Sequence, residues 1–355
     1  MTLPLDKRDL DHILEHATPQ FVELSEGRLF LTGATGLFGS WLLESIAHAQ
    51  LELGLKFDVQ FLSRDPDRFL AQYPFLKTIH RLSGLRGDIR NFTVPDGAAF
   101  THMIHGAATS AHETFAGEPA PRKYDTIVAG TRNALDVASQ TGVNKFLYLS
   151  SGAVYDTSGL DPRRPVPEDF LGAPNPLNAG SSLGLAKRAA EHFCSLWALE
   201  KPTRSLNIAR CFSFIGPRIP IDIHYAIGNF LADGLKGKDI VIRGSGTEVR
   251  SYLYLGDLVI WLMKALAFQD RLNVYNVGSM EAVSLAELAR RVAEATSPSI
   301  KIRVLGENAP QTSASPYYVP ATDRIYQLLR VKQWVNLDSS IERAALYLRR
   351  ACAGR

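Results

Sequence analysis

The chain has 355 residues, a formal net charge of +3 and an apolar fraction of 46%, which is ordinary for a globular protein. This balance disfavours nucleic acid and membrane surfaces as partners, and no apolar run reaches the length that spans a bilayer. Three unclustered cysteines and an N-terminus without a signal-peptide core predict a cytoplasmic protein with neither disulfides nor a metal site.

Residues 1–27 predict an amphipathic helical extension. Leu10, Ile13 and Leu14 lie on one face of such a helix, and we expect that face to pack on the outside of a sheet. The first predicted strand begins directly after this extension, at Arg28.

Three glycines spaced three apart follow that strand, namely Gly33, Gly36 and Gly39. The first permits a tight turn, the second lets backbone N–H groups approach a pyrophosphate, and the third lets the next helix pack closely. That helix, predicted over Ser40–Ala49, directs its positive N-terminus at the phosphates. The pattern predicts a dinucleotide site, and the alternative is a glycine-rich turn in another α/β protein. The cofactor is expected to contact Gly33, Thr35, Gly36, Leu37, Phe38 and Gly39.

Strands and helices alternate from there to about residue 214. The predicted strands are Phe57–Leu62, one ending near Leu85, His102–His105, Lys145–Ser150 and Ser205–Arg210. One predicted helix begins at Asp65-Pro66. Two longer helices are predicted over Tyr124–Thr141 and Ser182–Leu199. This alternation predicts a parallel sheet with right-handed crossovers, interrupted by a long surface loop over residues 156–180, which are rich in Pro, Asp, Gly and Asn.

From residue 215 onward the predicted elements are more mixed. They are helices near Tyr225–Leu235, from Gly256, from the capping box at Ser284 and near Ser339–Arg350, with strands at Ile240–Arg243 and Val249–Tyr254. We therefore expect an α/β fold with a Rossmann-like doubly wound parallel sheet over residues 28–214. A smaller C-terminal α/β part over residues 215–355, some of whose elements return to the sheet, is expected to bind substrate.

Further landmarks follow the glycine turn in a fixed order. They are Gly87-Asp88-Ile89-Arg90, Ile104-His105-Gly106-Ala107-Ala108, Gly130-Thr131-Arg132-Asn133, Ser150-Ser151-Gly152-Ala153-Val154-Tyr155, Gly184-Leu185-Ala186-Lys187 and Val249-Arg250-Ser251-Tyr252. In this order they resemble the extended short-chain dehydrogenase/reductase family, in particular its nucleotide-sugar epimerases and dehydratases. The resemblance implies a nicotinamide cofactor and a nucleotide-sugar substrate. It also implies a homodimer, because family members often pair through their long helices.

The resemblance assigns roles to single residues. For the cofactor, it implies contacts from Asp88 and Ile89 to the adenine and from Ala107, Ala108 and Lys187 to the nicotinamide ribose. For the reaction, it implies that Ser151 hydrogen-bonds the reacting oxygen and that Lys187 supplies positive charge. The substrate contacts that it implies are Thr109, Ser213, Asn229 near the base and Arg250 on the diphosphate.

Discrimination between NAD and NADP is expected at the end of the second strand, where an acid would bind the ribose 2′-hydroxyl. Here Ser63 is followed by Arg64. A hydroxyl and a guanidinium suit a 2′-phosphate, so these residues favour NADP, with NAD as the alternative. Otherwise Arg64 is solvated or pairs with Asp65 or Asp67, and Asp65 could turn back toward the ribose.

The family's reaction depends on a tyrosine four residues before the catalytic lysine, and here that position is Leu183. Because leucine carries no proton, three interpretations stay open. Another group transfers the proton, the candidates being His112, His224, Tyr225 and, through water, Ser151. Alternatively, the chain catalyses an easier step, such as epimerisation next to an existing ketone. The third interpretation is a ligand-binding paralogue with a sensor or assembly role.

Other positions narrow the reaction. Gly152 and Ala153 stand where 4,6-dehydratases typically carry an acidic pair, which disfavours that reaction. The adjacent Tyr317 and Tyr318 could form a stacking or lid element, or belong to the core. Arg218 adds positive charge to the substrate half, or is simply solvated. Our interpretation is an NADP-linked epimerase or ketoreductase of a nucleotide-activated sugar.

Overall fold

The computed structural model describes residues 2–109, 113, 117–161, 163–221, 223, 225–306 and 317–353. The strands are β1 Arg28–Thr32, β2 Asp58–Ser63, β3 Leu82–Arg86, β4 His102–His105, β5 Lys145–Ser151, β6 Ser205–Cys211, β7 Phe214–Ile215, β8 Ile240–Ile242, β9 Val249–Arg250, β10 Leu253–Tyr254, β11 Leu272–Val277, β12 Val283–Ser284, β13 Ile302–Val304 and β14 Tyr317–Tyr318. The α-helices are α1 Lys7–Leu24, α2 Leu37–Leu53, α3 Pro66–Gln72, α4 Ala120–Thr141, α5 Ser182–Glu200, α6 Ala226–Leu235, α7 Leu255–Ala267, α8 Leu285–Thr296, α9 Asp323–Leu329 and α10 Leu337–Ala353.

Seven of these strands form one sheet, in the order β11-β6-β5-β4-β1-β2-β3. All neighbouring strands in it run parallel, which confirms the predicted Rossmann-like α/β fold. The strand order reverses between β1 and β4. In sheets of this kind, ligands bind at such a switch point, in the crevice beyond the carboxyl ends of the strands.

The strand β11, at one edge of the sheet, was not predicted from the sequence. Its apolar pattern is interrupted by Asn273 and Asn276, and both side chains are buried. The Asn276 amide donates to the backbone carbonyls of Val166 and Ala321, at 2.8 and 3.2 Å. Distant parts of the chain therefore satisfy this polar side chain, so the strand carries no clear local signal.

Helices cover both faces of the sheet. α2 and α7 pack on one face, where Trp41 and Trp261 are fully buried, and α4 and α5 pack on the other. α1 lies mainly on α2 and α7, with Ile13 and Phe21 buried. The expectation that α1 packs on the sheet itself is therefore corrected, because α2 and α7 already cover that face and α1 adds a further layer.

Polar and aromatic contacts also hold α1. The His16 ring stacks on Trp334 with 4.5 Å between centroids, and Nε2 of His12 lies 3.1 Å from a carboxylate oxygen of the buried Asp257. Together with Glu15, the two histidines bring ligand-type atoms within 4.8 Å of one another, a grouping that the sequence did not predict. Both histidine rings take part in packing α1 against the C-terminal half of the chain.

The C-terminal part has its own apolar core, to which α6, α8, α10 and β8 contribute. Ser284 caps α8 by accepting a hydrogen bond from the Glu287 N–H at 3.2 Å, as predicted. The predicted strand Val249–Tyr254 is instead two short strands, because β9 pairs with β12 and β14 whereas β10 pairs with β7. Within the described residues, no helix combines the length and the apolar character needed to cross a membrane.

Candidate active site

The glycine turn joins β1 to α2. Gly33 has a φ of +78°, and an added Cβ there would lie 2.5 Å from the backbone carbon of Gly106. At Gly39 an added Cβ would lie 2.4 Å from the backbone of the same turn. Gly36 caps α2, which begins three residues earlier than predicted. Because the first N–H groups of a helix lack partners within it, this turn can offer donors to an anion.

One cleft runs over the carboxyl ends of β1 to β4 and encloses about 650 Å³, part of it open to solvent. The predicted cofactor-binding residues that line it are Gly33, Thr35, Ser63, Arg64, Asp88, Ile89, Ala107 and Ala108. The other predicted members of the turn lie at the start of α2, and they are Gly36, Leu37, Phe38 and Gly39. Thr109, predicted as a substrate contact, lines the same cleft. Four separate segments therefore meet at the switch point of the sheet.

The charged side chains that line the cleft occur in pairs. The Arg64 guanidinium lies 2.8 Å from a carboxylate oxygen of Glu113, and Arg90 lies 2.8 Å from Asp88. The hydrogen bond from Arg90 lowers the pKa of the Asp88 carboxyl to about 2, so the acid is ionised at neutral pH. An anion entering this cleft would compete with acidic groups for the arginines.

The acids next to Arg64 in the sequence have other partners. Asp65 caps α3 by accepting a hydrogen bond from the Arg68 N–H at 3.3 Å, and Asp67 pairs with Arg86 at 2.7 Å. Arg64 therefore pairs with neither of them in the structure, although both pairings were considered from the sequence.

A buried polar chain lies beneath the cleft. The Ala107 N–H donates to Oγ1 of Thr32 at 3.2 Å, and that oxygen lies 2.7 Å from Nδ1 of His105. Nε2 of His105 lies 3.0 Å from Oγ1 of Thr131. Because each threonine hydroxyl can donate or accept, either tautomer of a neutral His105 ring satisfies both contacts. Burial lowers the pKa of His105 to about 3, so the ring is neutral at physiological pH.

Ser151 ends β5, two strands from the glycine turn. Its hydroxyl oxygen accepts a hydrogen bond from the Ala153 N–H at 3.1 Å. The hydroxyl of Tyr318, on β14, lies close to the same strand end, because an added Cβ at Gly152 would be 2.4 Å from its oxygen. The Tyr318 ring packs on Phe212 with 4.7 Å between centroids. Sequence reasoning missed this contact, because only the folded chain brings residues so distant in sequence together.

Lys187 is buried on α5 and faces β5. Its Nζ donates to the Leu149 carbonyl at 2.6 Å and lies 4.7 Å from the centre of the Tyr148 ring. Burial lowers the pKa of Lys187 to about 8. The predicted contact of Lys187 with the nicotinamide ribose stays a prediction.

Leu183 lies one turn before Lys187 on α5. It is half-buried and packs against the apolar cluster that Ala107 and Ala108 also join. At Gly184 an added Cβ would lie 2.1 Å from the Ala153 carbonyl oxygen, so the start of α5 is in close contact with the turn after β5. The leucine side chain at position 183 has no proton to transfer.

A second polar network ties α5 to β5 and β6. Glu191 accepts a hydrogen bond from Ser150 at 2.5 Å and pairs with Arg210 at 2.7 Å. Arg210 also donates to the Tyr155 hydroxyl at 2.7 Å. These residues were not predicted, although an arginine that ends an apolar strand is a signal that could have identified the network. The network fixes the position of α5 beside the end of β5.

The residues predicted for the substrate side lie on separate elements. Arg250 is on β9, in register with Tyr318 of β14, and its guanidinium donates to the Val249 carbonyl at 2.7 Å. Ser213 lies between β6 and β7, and Asn229 is half-buried in the first turn of α6. Arg250 therefore lies on the strand next to Tyr318, which itself contacts the end of β5.

Arg218, His112 and His224 were also considered from the sequence as substrate-side residues or proton donors. Arg218 is buried in an ion pair with Glu44 and donates to the Leu3 carbonyl at 2.9 Å, so it is neither solvated nor available to a diphosphate. His112 and His224, considered as replacements for the missing phenol, lie outside the described residues.

Sheet order, glycine turn and cleft together define an α/β protein with a Rossmann-like fold. The model of the NAD dependent epimerase/dehydratase family matches residues 29–278, which is most of the chain. The chain belongs to this family.

Individual relatives agree with the family. The chain is 28% identical over 287 residues to UDP-glucuronic acid decarboxylase 5 of Arabidopsis thaliana, covering 81% of this chain and 79% of that protein. Its fold is similar to the UDP-glucose 4-epimerase of Thermotoga maritima solved with UDP-glucose, with a TM-score of 0.75, 20% identity and coverage of 92% and 99%. A UDP-glucuronic acid 4-epimerase from Bacillus cereus, solved with NAD, gives a TM-score of 0.73, 22% identity and coverage of 91% and 99%.

Proposed function

We propose that the protein binds a nicotinamide dinucleotide and modifies a nucleotide-activated sugar beside it, as an epimerase or a ketoreductase. One observation carries this proposal. A single cleft joins the glycine turn to the ends of β2, β3 and β4, and Ser151 ends the strand next to β4. Membership of the NAD dependent epimerase/dehydratase family supports the same function.

The residues present fit a dinucleotide. The glycine turn packs so tightly against neighbouring backbone that a side chain at Gly33 or Gly39 would collide with it. The start of α2 offers N–H donors to a pyrophosphate. Ile89 gives the cleft an apolar surface suited to adenine. When bound, a nicotinamide cofactor supplies or accepts a hydride.

The chain's own residues then hold the sugar and move the proton. Ser151 would donate a hydrogen bond to the sugar oxygen that changes between hydroxyl and carbonyl. Arg250 would bind the diphosphate, since a guanidinium offers several donors in a planar fork. Ser213 and Asn229 are proposed to contact the nucleotide part of the substrate, and Lys187 is proposed to hold the nicotinamide ribose.

UDP-linked sugars and sugar acids are the first substrate class to test. The Arabidopsis thaliana relative is named for UDP-glucuronic acid, and the Thermotoga maritima structure contains UDP-glucose. The proposal includes no particular sugar and no stereochemistry.

We infer that NADP is preferred over NAD. Ser63 and Arg64 line the cleft at the end of β2, where a hydroxyl and a guanidinium suit a 2′-phosphate. Arg64 pairs with Glu113 at 2.8 Å, but both side chains are accessible, and an exposed ion pair is weak enough to exchange for a phosphate. NAD is the alternative cofactor, because the structurally similar Bacillus cereus enzyme was solved with NAD.

A second candidate function is a ligand-binding paralogue that turns over little. Leu183 at the tyrosine position favours it, as does the Lys187 ammonium, which donates to the Leu149 carbonyl. Such a protein would bind cofactor and nucleotide sugar and act as a sensor or an assembly partner.

Calorimetry and product analysis separate the two functions. Purified protein is titrated with NAD, NADP and a panel of nucleotide sugars, and each mixture is then followed by cofactor absorbance and by NMR of the sugar. Turnover of any sugar by the wild type, lost in Lys187→Ala, supports the enzyme. Binding without turnover across the panel supports the paralogue. Failure to bind either cofactor would contradict both.

A further inference from the structure

We propose that His12, Glu15 and His16 of α1 form a binding site for one zinc ion. These residues occupy positions i, i+3 and i+4 of the helix, so their side chains share one face. The site lies outside residues 29–278, which match the family model, and outside the cleft proposed for the cofactor. It therefore adds to the proposed function and does not depend on it.

The three side chains bring suitable ligand atoms close together. One atom from each residue, an imidazole nitrogen or a carboxylate oxygen, lies within 4.8 Å of the other two. Zinc binds such atoms at about 2.0–2.2 Å in a tetrahedral arrangement, which separates neighbouring ligand atoms by about 3.4 Å. Small rotations of the side chains close the difference, and Glu15 is exposed and free of tight packing. Three protein ligands leave the fourth position to water.

His12 is oriented by a hydrogen bond on one side of its ring. Its Nε2 lies 3.1 Å from a carboxylate oxygen of Asp257, which is on α7. Among the described residues, Nδ1 of His12 has no hydrogen-bond partner, so its lone pair is available when Nε2 carries the proton. A carboxylate that accepts from the far nitrogen of a histidine ligand fixes the ring and makes it a stronger ligand.

The carboxylate of Asp257 lies behind the proposed site and is fully buried. Its second oxygen accepts the backbone N–H groups of Trp334 and Val335, at 2.8 and 3.0 Å. In the described part of the chain, His12 is the only basic side chain within 4.0 Å of this carboxylate. A buried anion without a lysine or arginine partner is costly, and positive charge on the far side of the His12 ring offsets part of that cost.

His16 is also oriented by the C-terminal half of the chain. Its ring stacks on Trp334, with 4.5 Å between centroids and an interplanar angle of 20°. Stacking uses the face of the imidazole, whereas a metal ion binds to a nitrogen at the edge, so the two contacts are compatible. Trp334 therefore orients one ligand with its ring and, through its backbone N–H, the carboxylate that orients the other. Ligands held in this way are preorganised for an ion.

Zinc binding and the docking of α1 are linked by this arrangement. All three ligands belong to α1, but the contacts that orient the two histidines come from Asp257 and Trp334. A helix that leaves its place loses these contacts and becomes a weaker ligand. The bound ion in turn favours the docked helix.

Calorimetry with zinc chloride tests the site. The protein is the full chain without an affinity tag, freed of metal by a chelator, and we expect it to bind one ion. His16→Phe keeps a ring on Trp334 and removes both nitrogens. It should weaken zinc by at least about 100-fold, since even an outer-shell partner is typically worth about 10- to 100-fold. Glu15→Gln, at an exposed position, should weaken zinc by about ten-fold. His192→Phe, which replaces an exposed histidine on α5, is the matched control and should change nothing.

Hydrogen exchange of the α1 amides gives a second readout. With zinc about 100-fold above its dissociation constant, exchange that requires α1 to undock should slow by up to about 100-fold. The same zinc concentration should leave exchange in the His16→Phe variant unchanged. This measurement reports the link between the ion and the position of the helix.

The outcomes decide the inference without reference to the reaction. One zinc ion per chain, lost in His16→Phe and kept in His192→Phe, supports the site. A wild type that binds no zinc overturns it. So does zinc binding that is equally strong in His16→Phe and Glu15→Gln, because the ion would then lie on other groups. None of these results bears on the proposed function, which depends on cofactor and sugar binding.

Discussion

The cleft proposed for the cofactor and the side of the sheet proposed for the sugar are built from different parts of the chain. Next to the glycine turn the cleft is mainly backbone, with glycines that lack a Cβ and the first N–H groups of α2, whereas the loops after β2 and β3 add side chains. The side proposed for the sugar is made of side chains, Ser151 on β5 and Arg250 on β9, and Tyr318 on β14 packs beside them. A backbone site depends on local spacing, whereas a side-chain site depends on tertiary contacts and can change its chemistry through one residue, as at Leu183.

The buried titratable groups next to the two sites also differ, one being neutral and the other charged. His105, under the cleft, is neutral, and both ring nitrogens have hydroxyl partners. Lys187, on α5, combines a buried ammonium with a carbonyl acceptor on β5. A neutral buried group with satisfied hydrogen bonds costs little, but a buried charge costs stability, and such a cost is typical of a functional position.

Gly39→Ala should have the largest effect, on the backbone-built cleft. The new Cβ would lie 2.4 Å from backbone atoms, so α2 must move away from the turn. We expect affinity for either cofactor to fall by at least about 100-fold and the free energy of unfolding to fall by about 3 kcal/mol. Calorimetry and denaturant unfolding measure the two quantities.

The other end of α2 offers the control. Gly54 also has a positive φ, +64°, but no atom lies within 4 Å of an added Cβ. Gly54→Ala should cost about 1 kcal/mol of stability and leave cofactor affinity unchanged. If both variants weakened the cofactor equally, the close contact at Gly39 would not be the reason for that glycine.

The next effect concerns Lys187 and has a definite sign with pH. Its pKa in the folded chain is about 8, below the usual 10.5, so between these values the unfolded chain binds the additional proton. Stability due to this group therefore rises with pH. The unfolding free energy of the wild type minus that of Lys187→Met should increase by about 2 kcal/mol between about pH 7.5 and 9.5.

Other groups titrate in the same range, so the measurement needs a matched lysine. Lys238 is exposed, and the difference between the wild type and Lys238→Met should stay flat with pH. A flat difference for Lys187→Met as well would mean that the buried ammonium is not destabilised.

Leu183→Tyr asks whether the sugar side can be returned to the arrangement that the family resemblance implies. Position 183 lies one turn from Lys187, whose ammonium would lower the pKa of a new phenol and make it a base. We expect oxidation of a sugar hydroxyl to accelerate by at least about ten-fold, while reduction changes less. Leu183→Phe adds the ring without the hydroxyl and should not accelerate oxidation. Equal rates in the two variants would show that the acid–base chemistry has moved entirely to other residues.

The cleft could be predicted from the sequence better than the side proposed for the sugar, because the cleft depends on local signals. The glycine turn, the capping box at Ser284 and the alternation of strands and helices are local signals, so the sheet and the cleft could be predicted. The strand β11 and the division of Val249–Tyr254 depend on pairing between distant segments. The packing of Tyr318 against Phe212 and Gly152 could not be predicted for the same reason. The boundary at residues 214 and 215, the cytoplasmic location and the homodimer stay predictions.

The smallest expected effect concerns the choice of cofactor within the cleft. If Arg64 binds a 2′-phosphate, it must leave Glu113, its partner at 2.8 Å. Arg64→Ala should therefore weaken NADP by about five-fold and NAD by less than about two-fold, since the interaction is exposed and screened. Glu113→Gln removes the competing carboxylate and should strengthen NADP by a similar small factor without affecting NAD. Competition calorimetry at low and high salt measures both changes. If Arg64→Ala weakened both cofactors equally, Arg64 would not read the 2′-phosphate, and the preference for NADP would be wrong even though the cleft binds a dinucleotide.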